Sequence, residues 1–225
     1  MKKMLIAVAM IVFLVVAGSS WATLITINRV DGYYSGVGGE FNIAGFGAAT
    51  NSFYNTNALL NGGFETFCVE YTEYVTMGQQ YNANISSTNS ATKDNDMISQ
   101  GTAYLYSLFA QGSLVDYNYT AGTGRISSAA ALQNTIWWLE GEISSKPINT
   151  FITLVETKFG GTAGALANYN PSQSNYGVGV LNLTTLTGGN AQDQLIRTSV
   201  PEPATMLLLG LGLIGLAGVR RKYKA

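Results

Sequence analysis

The chain has 225 residues, 47% of them hydrophobic and only 11% charged, with a formal net charge of −1. It contains no histidine, which removes Ser-His-Asp and Cys-His catalysis, histidine-ligated zinc or haem, and imidazole acid–base chemistry. A single cysteine removes intramolecular disulfides, CxxC redox motifs and cysteine-rich metal sites. The expectation is a protein that is not an enzyme and takes no metal or cofactor.

Lys2 and Lys3 precede an apolar run over residues 4–17, and Ser20 and Ala22 put small residues at the −3 and −1 positions of a cleavage site. That order predicts a signal peptide over residues 1–22, because an apolar run of about 14 residues is short for a membrane span. Residues 23–30 (TLITINRV) alternate and are β-branched, which predicts an opening strand. Residues 31–63, rich in Gly, Asn, Ser and Tyr, predict short strands with turns and a hairpin around Gly38 and Gly39. Residues 64–77 (FETFCVEYTEYVTM) predict the clearest strand. Its period of two places Phe67, Val69 and Tyr71 on one face and Thr66, Cys68 and Glu70 on the other.

Helices follow. Asp94 or Asn95 caps a helix over residues 96–111 that Gly112 ends, and Ser127 or Ser128 caps a second one reaching about residue 142. A weaker helical stretch covers residues 151–159, and residues 178–186 (VGVLNLTTL) read as a late strand. Strands at both ends with helices between them predict an α+β fold. The expected architecture is a β-rich barrel or sandwich with an inserted small helical subdomain, forming one exported domain over residues 23–199.

Residues 200–225 (VPEPATMLLLGLGLIGLAGVRRKYKA) hold the triplet Pro201-Glu202-Pro203, a Gly-rich apolar stretch, and the basic cluster Arg220, Arg221, Lys222 and Lys224. As a helix, residues 204–219 would rise about 24 Å, slightly less than the hydrocarbon core, with the cations held on the cytoplasmic side. This ordered trio resembles the PEP-CTERM sorting signal of envelope proteins from exopolysaccharide-producing Gram-negative bacteria. The resemblance implies that Pro201, Glu202 and Pro203 are the sorting motif read by an exosortase. It also implies a transient stay in the inner membrane through the C-terminal helix, and a destination in the cell envelope or extracellular matrix. Between the two ends, residues 23–200 carry six basic and twelve acidic residues, net −6. That balance excludes nucleic acid as a partner.

A lone thiol in an exported chain is an intermolecular bridge, a guarded reactive group or a small buried hydrophobe. Cys68 stands in Phe67-Cys68-Val69-Glu70, and 65 positions later comes Gln133-Asn134-Thr135-Ile136-Trp137-Trp138. On a helix, Gln133 shares a face with Ala129, Ala130, Ile136, Trp137 and Glu140. The two segments resemble the thioester domains of bacterial surface adhesins, which have an aromatic-Cys strand and a helical Q-x-x-I-W motif. Thr135 stands where the common form has alanine. The resemblance implies that Cys68 and Gln133 condense, with loss of ammonia, into an internal thioester.

The chemistry needs enforced proximity and a water-poor site, because a carboxamide is a poor electrophile. Phe67, Tyr71, Trp137 and Trp138 are the aromatic residues expected to keep water away. Glu70 and Glu140 are the carboxylates available as a base. The product would be an activated acyl group that a surface amine or hydroxyl, or an exopolysaccharide, captures in an adhesin-like role. The alternative is a non-covalent structural or carbohydrate-binding matrix protein in which Cys68 is an inert buried residue. Asp94, Asn95 and Asp96 lack the glycine and glutamate of a calcium loop and read as caps.

Overall fold

A computed structural model describes residues 23–45, 63–85, 96–171 and 176–197. The expected signal peptide, the sorting segment with Pro201, Glu202 and Pro203, and the capping candidates Asp94 and Asn95 lie outside the described residues. The alternating opening segment forms β1 (Thr23–Asn28), with Ile25 and Ile27 buried. It pairs on one side with β2 (Phe41–Ala44), placing Ile27 opposite Ile43, and on the other with β4 (Gln80–Ile85), placing Ile25 opposite Tyr81. β3 (Phe64–Thr66) extends the sheet beyond β2, and β5 (Val178–Thr185) and β6 (Asn190–Arg197) extend it beyond β4. The order is β3-β2-β1-β4-β5-β6, and every pairing is antiparallel.

The two edges of this sheet meet. Just past β3, the Phe67 carbonyl accepts from Leu195 N at 3.0 Å and Val69 N donates to the Asp193 carbonyl at 3.0 Å, with Cys68 opposite Gln194. Thr66 Oγ1 adds a 2.5 Å hydrogen bond to the Leu195 carbonyl. The sheet is thereby nearly closed into a barrel, which leaves few strand-edge groups without partners.

Among the described residues, four helices lie between β4 and β5 in the chain: α1 (Gln100–Ala110), α2 (Thr123–Leu139), α3 (Thr150–Phe159) and the short α4 (Thr162–Leu166). Two apolar clusters divide the molecule. One joins Leu105, Phe109, Leu132, Ile136 and Val155 of the helices to Phe67, Val178, Val180 and Leu195 of the sheet. The other holds Ile25, Ile27, Phe41, Ile43, Leu181 and Leu183, together with Cys68 and Trp137. Phe67 and Val69 belong to the first cluster and Cys68 to the second, the division that a period of two requires.

Three local expectations are corrected. Only Phe64–Thr66 of the long predicted strand joins β2, and beyond Val69 the chain leaves both ladders. The first helix begins at Gln100, because Ser99 rather than an upstream residue accepts from Thr102 N. The second begins at Thr123, after Gly122 at φ 126°, so Ser127 and Ser128 lie inside it. There Ser127 Oγ donates to the Thr123 carbonyl, and Ser128 Oγ accepts from Asn118 N. The expected hairpin around Gly38 and Gly39 is the antiparallel β1–β2 pair, in whose connection Gly38 N donates to the Ser35 carbonyl and Ser35 N to the Gly39 carbonyl, both at 3.2 Å.

Candidate functional site

α2 carries Arg125, Leu132, Gln133, Ile136 and Trp137 in buried positions, and it lays Gln133 against the segment that bridges β3 and β6. Cys68 and Gln133, 65 residues apart, are 0% and 1% exposed. Gln133 Oε1 lies 3.3 Å from Cys68 Sγ. The same oxygen accepts from Gly39 N at 2.9 Å and from Cys68 N at 3.3 Å, while Nε2 donates to the Cys68 carbonyl at 2.9 Å. Both ends of the carboxamide are thus engaged, so its carbonyl faces the sulfur and cannot exchange places with its nitrogen without losing these bonds.

The approach depends on two glycines. A Cβ at Gly38 would stand 2.6 Å from Gln133 Cγ, and one at Gly39 would stand 2.7 Å from Phe67 Cδ1. The loop is gripped on both sides. Arg29 Nη2 donates to the Val37 carbonyl at 2.9 Å and the Gly38 carbonyl at 3.0 Å, and the guanidinium lies over the Tyr34 and Phe41 rings. On the far side, Arg125 of α2 makes a bidentate ion pair with Glu40, Nε to Oε1 at 2.8 Å and Nη2 to Oε2 at 2.7 Å. Arg125 also pairs with Glu65 and lies 3.5 Å from the centre of the Tyr33 ring, and Tyr117 donates its hydroxyl proton to Glu40. Burial, reinforced by the Glu40 charge, pushes the Glu65 carboxyl well above the usual range.

Burial also pushes the Cys68 thiol up, against the opposing influence of Trp137 and Arg29, so the resting group is the protonated thiol. Trp137 shares the cluster that holds Cys68 and donates Nε1–H to the Glu70 carbonyl at 3.2 Å. Tyr71 meets Trp137 edge-on at 4.9 Å and, at 45% exposed, forms the outer side of that contact. Phe67 lies beneath Gly39 and stacks edge-on with Phe109 in the helical cluster.

Trp138 is not brought to the pair. One residue on along a helix turns the side chain by about 100°, and it packs instead against the helical cluster. There it lines an open cavity of 390 Å³ with Asp96, Ser99 and Glu140. Glu140 is likewise engaged elsewhere. Its Oε1 accepts from Ser99 N at 3.1 Å, from Ser99 Oγ at 2.9 Å and from Thr102 Oγ1, and burial pushes its carboxyl up to about 7. Glu70 Oε2 accepts from Asp193 N at 2.8 Å.

Sequence reasoning missed Arg29, Gly38, Gly39, Glu40 and Arg125 as parts of this site. The adjacent glycines followed by a carboxylate were the only local signal. Chemically, the arrangement presents a buried thiol beside a carboxamide whose oxygen already receives two backbone N–H groups, the donor pattern that stabilises an oxyanion.

The comparison with protein families matches residues 199–222 to the PEP-CTERM protein-sorting motif. The chain is therefore an exported protein directed to the cell envelope and sorted by an exosortase. No curated protein and no solved structure matches it. Among the described residues no helix is long and apolar enough to cross a membrane, and the expected membrane helix lies outside them.

Proposed function

We propose that Cys68 and Gln133 form an internal thioester, and that the exported protein uses it to capture a nucleophile covalently in the envelope or extracellular matrix of a Gram-negative bacterium. The observation that carries this reading is the 3.3 Å approach of Sγ to Gln133 Oε1 under two backbone N–H donors. In the condensation, sulfur attacks Gln133 Cδ, the C–S bond forms and the C–N bond breaks. The thiol proton ends on the departing nitrogen, which leaves as ammonia. The raised thiol pKa keeps Cys68 protonated until the carbonyl is engaged, and the dry surroundings slow hydrolysis of the product.

In capture the acyl carbon is again the electrophile, and sulfur changes from nucleophile to leaving group. An amine or hydroxyl attacks the acyl carbon, the new C–N or C–O bond forms, the C–S bond breaks and Cys68 takes up a proton. Aromatic cover from Trp137 and Tyr71 fits a site that admits a positioned partner and holds off bulk water. The partner would be a surface amine or a hydroxyl of an exopolysaccharide, giving the protein an adhesin-like role.

Methylamine tests the reading. The exported protein should incorporate one methylamine at Gln133 and release one titratable thiol at Cys68 in step with it. If a thiol is found only after denaturation and no amine is incorporated, Cys68 is an inert buried residue in a non-covalent matrix protein.

A further inference from the structure

The Gly38–Gly39 peptide unit is bonded at both ends. Its carbonyl accepts from Arg29 Nη2 at 3.0 Å, and its N–H donates to Gln133 Oε1 at 2.9 Å. These two bonds share one conjugated amide. A cation on the carbonyl draws electron density through it and makes the N–H a stronger donor. The cation is also unopposed: among the described residues no carboxylate pairs with Arg29, whose contacts are the Val37 and Gly38 carbonyls and the Tyr34 and Phe41 rings. Its Nε is buried without a hydrogen-bond partner. In a domain that is acidic overall, a partly desolvated guanidinium held this way is costly unless its field is used.

We propose that Arg29 is a positioning residue that polarises the Gln133 side-chain carbonyl through the Gly38–Gly39 peptide. The inference rests on the thioester reading for its consequence, though not for the polarisation itself. When Cys68 Sγ attacks Gln133 Cδ, negative charge gathers on Oε1, at the end of the chain guanidinium, peptide, carboxamide. When an amine later attacks the thioester, charge gathers on the same oxygen. One arrangement therefore serves both steps in a protein without histidine. Glu40, held by Arg125, fixes the other end of the loop and keeps the Gly39 N–H on its target.

The test uses Arg29→Gln, which keeps a hydrogen-bond donor and removes the charge, and Arg29→Lys, which keeps the charge. In the exported protein, methylamine incorporation should slow roughly five- to tenfold in Arg29→Gln, less than for loss of a direct oxyanion donor. Arg29→Lys should retain most of the rate, with all rates measured well below each protein's unfolding midpoint.

A second measurement does not need the thioester. In the Cys68→Ala background Gln133 stays a carboxamide, and NMR should show a hydrogen-bond scalar coupling between Gly39 N and Gln133 Cδ. The Gly39 amide proton should move upfield in Arg29→Gln and stay in place in Arg29→Lys. An unmoved Gly39 proton in Arg29→Gln overturns the proposal. If the proton moves as expected but the wild-type protein takes up no methylamine, the polarisation stands and the thioester reading fails.

Discussion

Cys68 Sγ and Gln133 Oε1 are 3.3 Å apart across 65 residues of sequence, and both side chains are shut off from solvent. Neither residue reaches the other by local structure. Cys68 is placed by the bridge that ties the end of β3 to β6, and Gln133 by the buried side of α2. The contact thus depends on the closure of the sheet and the docking of the helix together.

The glycine at position 38 is where this arrangement is most easily broken. A methyl group there would meet Gln133 Cγ at 2.6 Å and the Trp137 ring at 3.1 Å. Gly38→Ala should push the glutamine away from the sulfur. Its purified form should show one Cys68 thiol on denaturation and little amine incorporation, with a far-ultraviolet circular dichroism spectrum like that of the wild type. Full incorporation would mean that Gln133 does not need its observed position.

How far the sequence reveals this site depends on the range of the interactions. The alternation at Phe67, Cys68 and Val69 is legible because each residue faces one of two apolar clusters. Gln133 and Trp137 are legible as one side of a helix. β6 (NAQDQLIR) hides because Gln192, Asp193 and Gln194 are buried polar residues, which hydrophobic periodicity reads as a loop. Gln192 and Asp193 are tolerated since Gln192 Nε2 donates to the Glu70 carbonyl and Asp193 Oδ1 accepts from Leu183 N. Arg125 hides for the same reason: a charged residue on a helix suggests solvent, whereas here two carboxylates and an aromatic ring from distant segments enclose it. Trp138, placed beside Trp137 by sequence, points elsewhere because helical geometry separates neighbours.

Arg125→Met should destabilise the fold by about 3–5 kcal/mol, because it leaves Glu40 buried without its cation and Glu65 without its hydrogen-bond partner. Urea denaturation measures this. Adding Glu40→Gln to Arg125→Met should recover part of the loss by removing the stranded charge. A single variant as stable as the wild type would show that the ion pairs do not hold the loop to α2.

Glu140 sets a pH dependence with a definite sign. Its carboxyl is raised to about 7 in the folded chain from an ordinary 4.5, chiefly by burial, so the folded state holds the proton more tightly than the unfolded one. Its contribution to stability is therefore complete below about 4.5 and declines as the pH rises through about 7. Glu65, raised in the same direction, adds to the decline. Glu140→Gln keeps an acceptor for Ser99 and Thr102 and should flatten this part of the stability–pH curve. An unchanged slope between pH 4.5 and 7 would assign the dependence to other groups.

Replacing Pro201, Glu202 and Pro203 with alanine should leave export intact and stop processing of the tail, since residues 199–222 match the sorting motif. Cell fractionation and the mass of the released protein measure the effect. Release with wild-type kinetics and mass would contradict a sorting role for the triplet.

The mass of the exported protein, purified without reductant, tests the central claim most directly. The account predicts that a proteolytic digest made under mildly acidic conditions yields the Cys68 and Gln133 peptides as one cross-linked species. That species should be lighter by one ammonia than the two peptides together, and Cys68→Ala or Gln133→Ala should abolish it. Separate peptides at their full masses, from freshly folded wild-type protein, would contradict the thioester and leave Cys68 as a small apolar residue beside a well-bonded glutamine.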